Sequence, residues 1–359
     1  MKIYVYAIAK NEEKFARRWL ASMSEADGIF VLDTGSEDDT VRILRDGGAY
    51  VVTERIEPWR FDTARNHALS LVPEDADLCV STDLDEVFRP GWRAALEKCL
   101  FPGVTRVRYR YTWNFTPDGR EGYVFMRDNI HIRHGYAWKN PVHEVLVRTE
   151  GNEIFAKGDG MQLDHLSDPE KSRAQYLPLL ELAVREDPLN DRNMHYLGRE
   201  YMFRGMWDKS IETLLRHLAL PTAVWKDERA SSMRYIARCY ARLGNEPECE
   251  KYHLLSIAEA PYLREVWYDY AMFLYRKKDW HGTLFAFERM MQITERPETY
   301  ISETEPWGPL PFDVMSVAYY MTGDYRASAE NAEKALSFSP DDERIRKNLE
   351  FARAMLGRE

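Results

Sequence analysis

The chain has 359 residues, of which 45% are hydrophobic and 13% are aromatic, and its formal net charge is −10. This length predicts two or three domains with sizeable cores, and the composition is that of an ordered globular protein. The acidic balance argues against a broad nucleic-acid-binding surface, without excluding a local basic patch. No apolar run approaches the roughly 18 residues that span a membrane, and no signal-peptide pattern is visible, so we expect a cytoplasmic protein without a membrane span. The four cysteines have no metal-binding spacing and are expected to be reduced.

Up to about residue 165, short β-rich runs alternate with amphipathic stretches. Three runs read as strands and two stretches carry a helical period: 3–8, 28–32 and 50–53, then 11–23 and 40–45. Such alternation predicts a mostly parallel sheet with helices on both faces, and ligands of these sheets bind beyond the carboxyl ends of the strands. Asn11, Asp33 and Asp83 fall at those ends, so we expect them to belong to one site.

A buried strand over 78–80 is followed by the acidic run Asp83-Leu84-Asp85-Glu86. Carboxylates at the end of a buried strand need a cation, because desolvated charge must be compensated. On an extended backbone Asp83 and Asp85 point to the same side, and two oxygen ligands suit Mg²⁺ or Mn²⁺, which can also hold a diphosphate. The alternative is a solvated loop or a helix N-terminus. Glu86 is expected either to support the metal ligands from behind or to cap the following helix, and we favour the cap.

Beyond residue 170 the pattern is helical. Four approximate copies of a helical-hairpin signature carry small residues at fixed offsets, and they begin near Tyr196, Ile236, Trp267 and Tyr319. They resemble the tetratricopeptide repeat of about 34 residues, whose arrays stack into curved surfaces that hold partners. We therefore predict an α/β domain over 1–168 and a helical array over 169–359, with a generic helical bundle as the alternative. The Pro- and Glu-rich stretch 297–311 reads as an inserted loop before the last repeat.

Five ordered motifs carry a resemblance that covers most of the chain. They are AKNEE at 9–13, DTGSEDDT at 33–40, FDTARN at 61–66, DLDE at 83–86 and WKNPVHE at 138–144. Together they resemble family 2 glycosyltransferases with a GT-A fold, in the branch that carries a C-terminal tetratricopeptide array. The resemblance implies a Rossmann-like domain that transfers a sugar from a nucleoside diphosphate donor with inversion at the anomeric carbon. UDP is the usual nucleotide of this family, so UDP-glucose is the default donor.

The resemblance assigns donor binding to residues near the strand ends, namely Ala9, Asn11, Glu12, Asp33, Gly35, Arg65, Asp83 and Trp138. Asp33 can accept hydrogen bonds from a base or ribose, or it can cap its own turn. Gly35 lets a nucleotide approach the backbone closely. Arg65 would offset phosphate charge or form an internal salt bridge. Asn66 is expected to be a structural polar group, and Trp138 to stack on a sugar ring.

The metal site implied by the resemblance uses Asp85, Asp83 and His165 with Mn²⁺ or Mg²⁺. Asp85 would ligate the metal directly, and Asp83 would bind the ribose or a metal-bound water. His165 resembles the late metal-ligating histidine of the family, and its alternative is a hydrogen-bonded core histidine.

Inverting transfer also needs a base on the face opposite the leaving group. Glu144 resembles the acceptor-side acid of the family and is the expected base, with His143 supporting it. A structural His-Glu pair is the alternative, and Asp62 is a weaker base candidate.

The sequence therefore predicts a metal-dependent inverting glycosyltransferase whose helical array helps hold a peptide, a saccharide or a modified DNA base as acceptor. A non-catalytic tetratricopeptide scaffold is disfavoured because the acidic motifs are retained. A nucleotidyltransferase is disfavoured because Ala7–Glu13 contains no glycine-rich phosphate loop. The sequence leaves open the donor sugar, the acceptor, and whether the repeats associate with a second copy.

Overall fold

The structure is a computed structural model that describes residues 1–116, 119–167 and 175–357. These residues form two compact units: Met1–Glu186 with Glu298–Tyr300, and Asp187–Pro297 with Ile301–Glu359. We call them the N-terminal unit and the helical unit. The predicted boundary between residues 168 and 169 lies outside the described residues.

The N-terminal unit is built on one eight-stranded sheet and a separate two-stranded hairpin. Its strands are β1 (Ile3–Ala9), β2 (Gly28–Asp33), β3 (Tyr50–Thr53), β4 (Leu78–Ser81), β5 (Glu86–Phe88), β6 (Arg106–Thr112), β7 (Val124–Ile132), β8 (Tyr136–Lys139), β9 (Val145–Arg148) and β10 (Phe155–His165). Its helices are α1 (Glu13–Met23), α2 (Thr40–Asp46), α3 (Phe61–Ser70), α4 (Trp92–Cys99) and α5 (Tyr176–Glu186). The large sheet has the order β3-β2-β1-β4-β7-β6-β10-β5, and β8 pairs with β9.

The sheet is mostly parallel, as predicted, because four of its seven strand pairs run parallel: β3-β2, β2-β1, β1-β4 and β6-β10. The strands predicted over 3–8, 28–32 and 50–53 are confirmed within one residue at either end. Two cores sandwich the sheet, because the side chains of β1 alternate between its faces. Val5 and Ala7 belong to the core that contains Trp19, whereas Tyr6 belongs to the core that contains Trp138.

The connections of the sheet locate its binding crevice. From β1 the chain moves outward to β2 and β3, and it then returns to the other side of β1 to form β4. Ligands of open α/β sheets bind where the strand order reverses in this way, beyond the carboxyl ends of the strands. The carboxyl ends of β1 and β4 therefore define the crevice, and the turn that contains Asp83 follows β4 directly.

The helical unit consists of nine helices within the described residues: α6 (Asp191–Phe203), α7 (Trp207–Ala219), α8 (Lys226–Arg242), α9 (Glu246–Glu259), α10 (Arg264–Arg276), α11 (Trp280–Met291), α12 (Leu310–Thr322), α13 (Tyr325–Phe338) and α14 (Glu343–Leu356). The helices from α6 to α13 form four successive hairpins, and α14 packs against the last of them. The four hairpins confirm the four predicted tetratricopeptide-like copies. Among the described residues no helix has the length and apolar character needed to cross a membrane.

Small buried residues let the two helices of a hairpin approach closely. In the first hairpin Ser210 Oγ donates a hydrogen bond of 2.8 Å to the carbonyl oxygen of Gly198, twelve residues earlier. In the fourth, Ser328 Oγ donates to the carbonyl oxygen of Ser316 at the same spacing and distance. The fixed offset seen in the sequence therefore corresponds to a repeated contact between the two helices of a hairpin.

An insertion is present before the last repeat, as predicted, but it spans residues 292–309 and not 297–311, because α12 already begins at Leu310. The insertion contains a short 3-10 helix, Glu305–Trp307. The insertion is tied to the array by charge. The carboxylate of Glu303 pairs with Arg234 at 2.7 Å and with Arg238 at 2.8 Å, and its backbone N–H donates to Glu265 at 3.0 Å. Both arginines also pair with Asp269, so the charges of this buried cluster are compensated.

Candidate active site

The turn after β2 is joined to the chain after β1 by hydrogen bonds. The buried carboxylate of Asp33 accepts from the backbone N–H groups of Gly35 and Ser36, each at 3.2 Å. The side chain of Asn11 accepts from the backbone N–H of Glu37 at 2.8 Å. Gly35 has a φ of 103°, which side chains rarely adopt. Asp33 is therefore the cap of its own turn in this structure, and its contact with a donor stays a prediction.

Ala9 and Glu12 belong to the same corner of the sheet. The carbonyl oxygen of Ala9 accepts from the backbone N–H of Thr34 at 2.8 Å and from its hydroxyl at 3.1 Å. The backbone N–H of Glu12 donates to the hydroxyl of Thr40 at 2.7 Å. The fold thus brings together the predicted donor-binding residues of the first two motifs.

The acidic run lies on a turn and not on an extended strand. β4 ends at Ser81, and Asp83 to Asp85 connect it to β5, which pairs antiparallel with β10. The expectation that a period of two places Asp83 and Asp85 on one side is therefore wrong, because the chain reverses direction there. The two aspartates have different surroundings: Asp83 pairs with Arg65, whereas Asp85 faces His165.

Glu86 is the first residue of β5, so its predicted role as a helix cap is wrong. It is 1% exposed and accepts hydrogen bonds from the backbone N–H of Asp83 at 2.9 Å, from the Tyr111 hydroxyl at 2.7 Å and from the Arg127 guanidinium. Burial raises the pKa of Glu86 against the opposing charge of Arg127, and Asp83 and Asp85 raise it further. Glu86 therefore connects the acidic turn to the buried side chains of β6 and β7.

Arg65 joins two predicted site residues that are far apart in sequence. It lies on α3, its side chain is 5% exposed, and its Nη2 donates to Asp83 Oδ1 at 2.8 Å. Its Nε donates to the carboxylate of Glu144. Burial lowers the pKa of Arg65, but the charges of Asp83 and Glu144 raise it above its usual range, so the guanidinium stays protonated. The internal salt bridge that the sequence left open is therefore present.

The loop that carries His143 and Glu144 is anchored to α3. Asn66 on α3 exchanges two hydrogen bonds with the backbone of Trp138, at 2.8 and 2.9 Å, which confirms its predicted structural role. Asn140 and His143 have positive φ values of 82° and 50°. These conformations are uncommon for residues other than glycine, and the surrounding contacts must hold them.

Trp138 supports the site from within the core. It is 4% exposed, its indole N–H donates to the Tyr6 hydroxyl at 2.8 Å, and the guanidinium of Arg65 lies 5.1 Å from its ring centroid. The predicted stacking on a sugar ring is therefore corrected, because a buried ring offers no free face. Asp62 is likewise engaged: it pairs with Arg60 at 2.8 Å and accepts from the backbone N–H of Thr63.

His165 and Asp85 form the part of the site that fits a metal ion. Nδ1 of His165 lies 2.8 Å from the carbonyl oxygen of Trp113, and a carbonyl only accepts, so Nδ1 carries the proton. In the neutral ring Nε2 then presents a lone pair, and it lies 3.3 Å from Asp85 Oδ2, which is also an acceptor. Two such atoms at this distance require a cation between them, either a proton or a metal ion.

The surroundings of His165 agree with this requirement. Burial lowers its pKa, but the hydrogen bond and charge of Asp85 outweigh burial, so the net pKa of His165 is raised. The carbonyl that orients Nδ1 is the kind of outer partner that metal-binding histidines use.

No group of three or more His, Cys, Asp or Glu side chains within the described ranges is arranged to hold a metal. The carboxylate of Asp85 suits Mg²⁺ or Mn²⁺, and Mg²⁺ is usually held by one or two carboxylates together with substrate phosphates, whereas the imidazole of His165 is a ligand that softer divalent ions prefer.

The sequence analysis missed the residues that support the acidic turn. Tyr111, Arg127 and the carbonyl of Trp113 hold Glu86 and His165, but each is at least 25 residues away from its partner in sequence. Arg127 lies in β7, whose mixed polar and apolar residues gave no signal that could have identified it as the partner of Glu86.

Comparison with known proteins identifies the N-terminal unit. Residues 4–136 match the family model described as glycosyl transferase family 2, and this range includes the strand ends, Arg65 and the acidic turn. Residues 4–136 of the N-terminal unit are therefore similar to family 2 glycosyltransferases. The match supports glycosyltransferase activity for this domain, and the chemistry of its crevice can be considered on that basis. His143, Glu144 and His165 lie beyond the matched range.

Solved structures match the chain over about half its length. The APC/C hetero-tetramer Cut9-Hcn1 matches with a TM-score of 0.40 and 15% identity, covering 49% of this chain and 32% of that chain. MamA matches with a TM-score of 0.38 and 16% identity, covering 47% and 89%. A tetratricopeptide repeat protein from Parabacteroides merdae matches with a TM-score of 0.38 and 16% identity, covering 50% and 65%. The chain thus spans about a third of the first of these proteins.

Proposed function

We propose that the glycosyltransferase domain moves a sugar from a nucleoside diphosphate donor, with UDP-glucose as the default, and inverts the anomeric carbon. The observation that carries the metal-dependent form of this proposal is the pair Asp85 Oδ2 and His165 Nε2. These two acceptors lie 3.3 Å apart beyond the sheet edge where the strand order reverses. Mn²⁺ or Mg²⁺ bound there would offset charge on the diphosphate and on the departing nucleotide.

Glu144 is the proposed base. Its carboxylate is held by an ion pair with Arg65, which orients it at the crevice. In the reaction the acceptor O–H loses its proton to Glu144, and the oxygen forms a bond to the anomeric carbon. The bond between that carbon and the β-phosphate oxygen breaks, and the electron pair leaves with the nucleoside diphosphate. His143 precedes Glu144 in the same loop and would help to position it.

The acceptor is proposed to be a peptide or a saccharide, placed with help from the helical unit. Stacked helical hairpins form extended surfaces that commonly hold partners. A modified base in DNA is a weaker acceptor candidate, because the chain has a net charge of −10 and DNA binding is driven by phosphate neutralisation. Association with a second copy through the helical repeats is a further part of this proposal.

The test is release of nucleoside diphosphate from a panel of nucleotide sugars by the purified full chain with Mn²⁺. We expect activity that is lost on chelation and in Asp85→Ala and His165→Gln. His134→Gln is the matched control, because His134 is an exposed histidine of the same domain with a side chain 63% exposed. If calorimetry detects no binding of any nucleotide sugar in the panel, the proposal is wrong.

A second variant tests the base. Glu144→Gln should still bind UDP while transfer is abolished, because the amide cannot accept the proton. Unchanged transfer in this variant would rule out Glu144 as the base without affecting the donor assignment.

A further inference from the structure

Arg65 links the donor side and the acceptor side of the crevice. One face of its guanidinium reaches Asp83, in the turn at the predicted ribose and diphosphate position. The Nε atom reaches Glu144, the proposed base. The single positive charge of Arg65 is therefore shared between two carboxylates, one on the donor side and one that is the proposed base.

The Nη1 group of the Arg65 guanidinium has no hydrogen-bond partner among the described residues. Arg65 is 4% exposed, and its Nη1 atom is buried without an acceptor, although a buried charged donor normally finds one. An unpaired donor of a buried cation costs free energy, so its retention beside a crevice points to an acceptor that a ligand supplies. The guanidinium geometry favours anionic oxygens such as those of a diphosphate.

The charges around Arg65 imply that a donor oxygen at Nη1 would affect the ion pair between Arg65 and Glu144. One positive charge faces the two negative charges of Asp83 and Glu144, so the cluster carries a net charge of −1 before a donor binds. An anionic donor oxygen at Nη1 would compete with Glu144 for the same positive charge. The hold of Arg65 on the base would then weaken as the donor binds.

We propose that Arg65 is a positioning residue that couples donor binding to the base: it holds Glu144 in the free enzyme and shares its charge with an anionic oxygen of the nucleoside diphosphate. This inference rests on the proposed function of the domain and assigns a control step to the same site. The carboxylate of Glu144 is restrained by Arg65 before the donor arrives and is released towards the acceptor hydroxyl once the donor is in place.

The coupling can be measured through UDP affinity, without turnover. Glu144→Gln removes the competing negative charge and should tighten UDP binding by roughly three- to tenfold in calorimetry, as expected for one charge at a partly screened site. In the background of Arg65→Gln the same Glu144→Gln change should have little effect, since the link is gone. A direct repulsion between Glu144 and UDP would instead persist in that background.

Arg106 provides a matched control for this cycle. It is also a buried arginine between two carboxylates, pairing with Asp128 and Glu153 at 2.9 Å each, but it starts β6 at the opposite edge of the sheet. Glu153→Gln removes the same charge from a similar pair and should leave UDP affinity unchanged.

Two outcomes overturn the inference. UDP affinity in Glu144→Gln equal to that of the unmodified chain would show that the base does not compete for Arg65, and equal tightening in the Arg65→Gln background would show that Arg65 does not carry the effect. If Arg65→Gln fails to fold, Arg65→Lys keeps the charge, and it should lower kcat for transfer more than it raises KM for the donor. Failure of the unmodified chain to bind UDP or any other nucleoside diphosphate is a different result, which would reject the proposed function itself.

Discussion

Gly198 provides a sharp test of how the helical unit packs. It lies within α6 opposite α7, and a Cβ atom placed on it would meet Cγ and Cδ2 of Leu214 at 2.5 Å and the Leu214 backbone nitrogen at 3.4 Å. Leu214 is fully buried, so it has little room to move away. We therefore expect Gly198→Ala to destabilise the first hairpin, although alanine is the better helix former.

The magnitude follows from two opposing effects. Replacing glycine by alanine inside a helix stabilises it by about 1 kcal/mol. Forcing a methyl group into a filled space costs about 1–3 kcal/mol, and the upper part of that range applies because the clash involves the Cγ branch point and not a flexible tip. The net destabilisation should be about 1–2 kcal/mol, which would raise the population of the locally opened state roughly 5–30-fold.

Hydrogen exchange of peptides from α6 and α7 is the assay, because it reports local opening in a chain of two units that need not unfold together. Leu214→Ala alone should cost about 2–5 kcal/mol through the cavity it leaves. In the double variant the new methyl group has space. The loss of stability in the double variant should therefore be smaller than the sum of the two single losses by about 1 kcal/mol or more. Gly357→Ala is the control, because a Cβ there would meet nothing closer than 3.7 Å. Exchange in Gly198→Ala as slow as in the unmodified chain, or strict additivity with Leu214→Ala, would refute the packing described for this hairpin.

Three further predictions concern polar contacts. The hydrogen bond from Arg110 lowers the pKa of Glu121 from 4.5 to about 2, so its stabilisation is fully present above about pH 4.5 and is lost as the pH falls towards 2. Because the side chain is 30% exposed, Glu121→Gln should cost about 1–2 kcal/mol at pH 7 and less than half of that at pH 3 in urea unfolding. Asn66→Ala removes both hydrogen bonds to the backbone of β8 and should lower kcat as well as stability, the latter by about 1–3 kcal/mol. Asp269→Asn leaves two arginines short of negative charge in the buried cluster and should cost about 3 kcal/mol or more, seen as faster exchange in α8 and α10.

Each of these predictions has a result that contradicts it. A stability loss in Glu121→Gln that is equal at pH 3 and pH 7 would show that the carboxylate charge is not the cause. Full kcat in Asn66→Ala would show that the loop of Glu144 does not depend on this anchor. A cost below about 1 kcal/mol in Asp269→Asn would mean that the cluster rearranges, since breaking a buried pair normally costs more.

The sequence was most informative where a local pattern fixes the backbone. The alternation of short apolar runs with amphipathic stretches identified β1, β2 and β3 closely, and the small residues at fixed offsets identified the helical hairpins. Both patterns repeat within a few residues and depend on one face being buried, so they can be read without tertiary contacts. The strand ends also predicted which edge of the sheet carries Asn11, Asp33 and Asp83, because parallel strands place their carboxyl ends together.

The surroundings of each site residue were decided only by the tertiary structure. Glu86 is a buried anchor and Trp138 a core side chain because partners from distant segments, Arg127 and Tyr6, lie beside them. The split between Asp83, which pairs with Arg65, and Asp85, which faces His165, follows from a chain reversal that the strand pattern does not encode. The sequence therefore determined the fold class and the edge at which chemistry occurs. The tertiary structure determined which charged side chains form ion pairs, because the free energy of a buried ion depends on neighbours that are dozens of residues away along the chain.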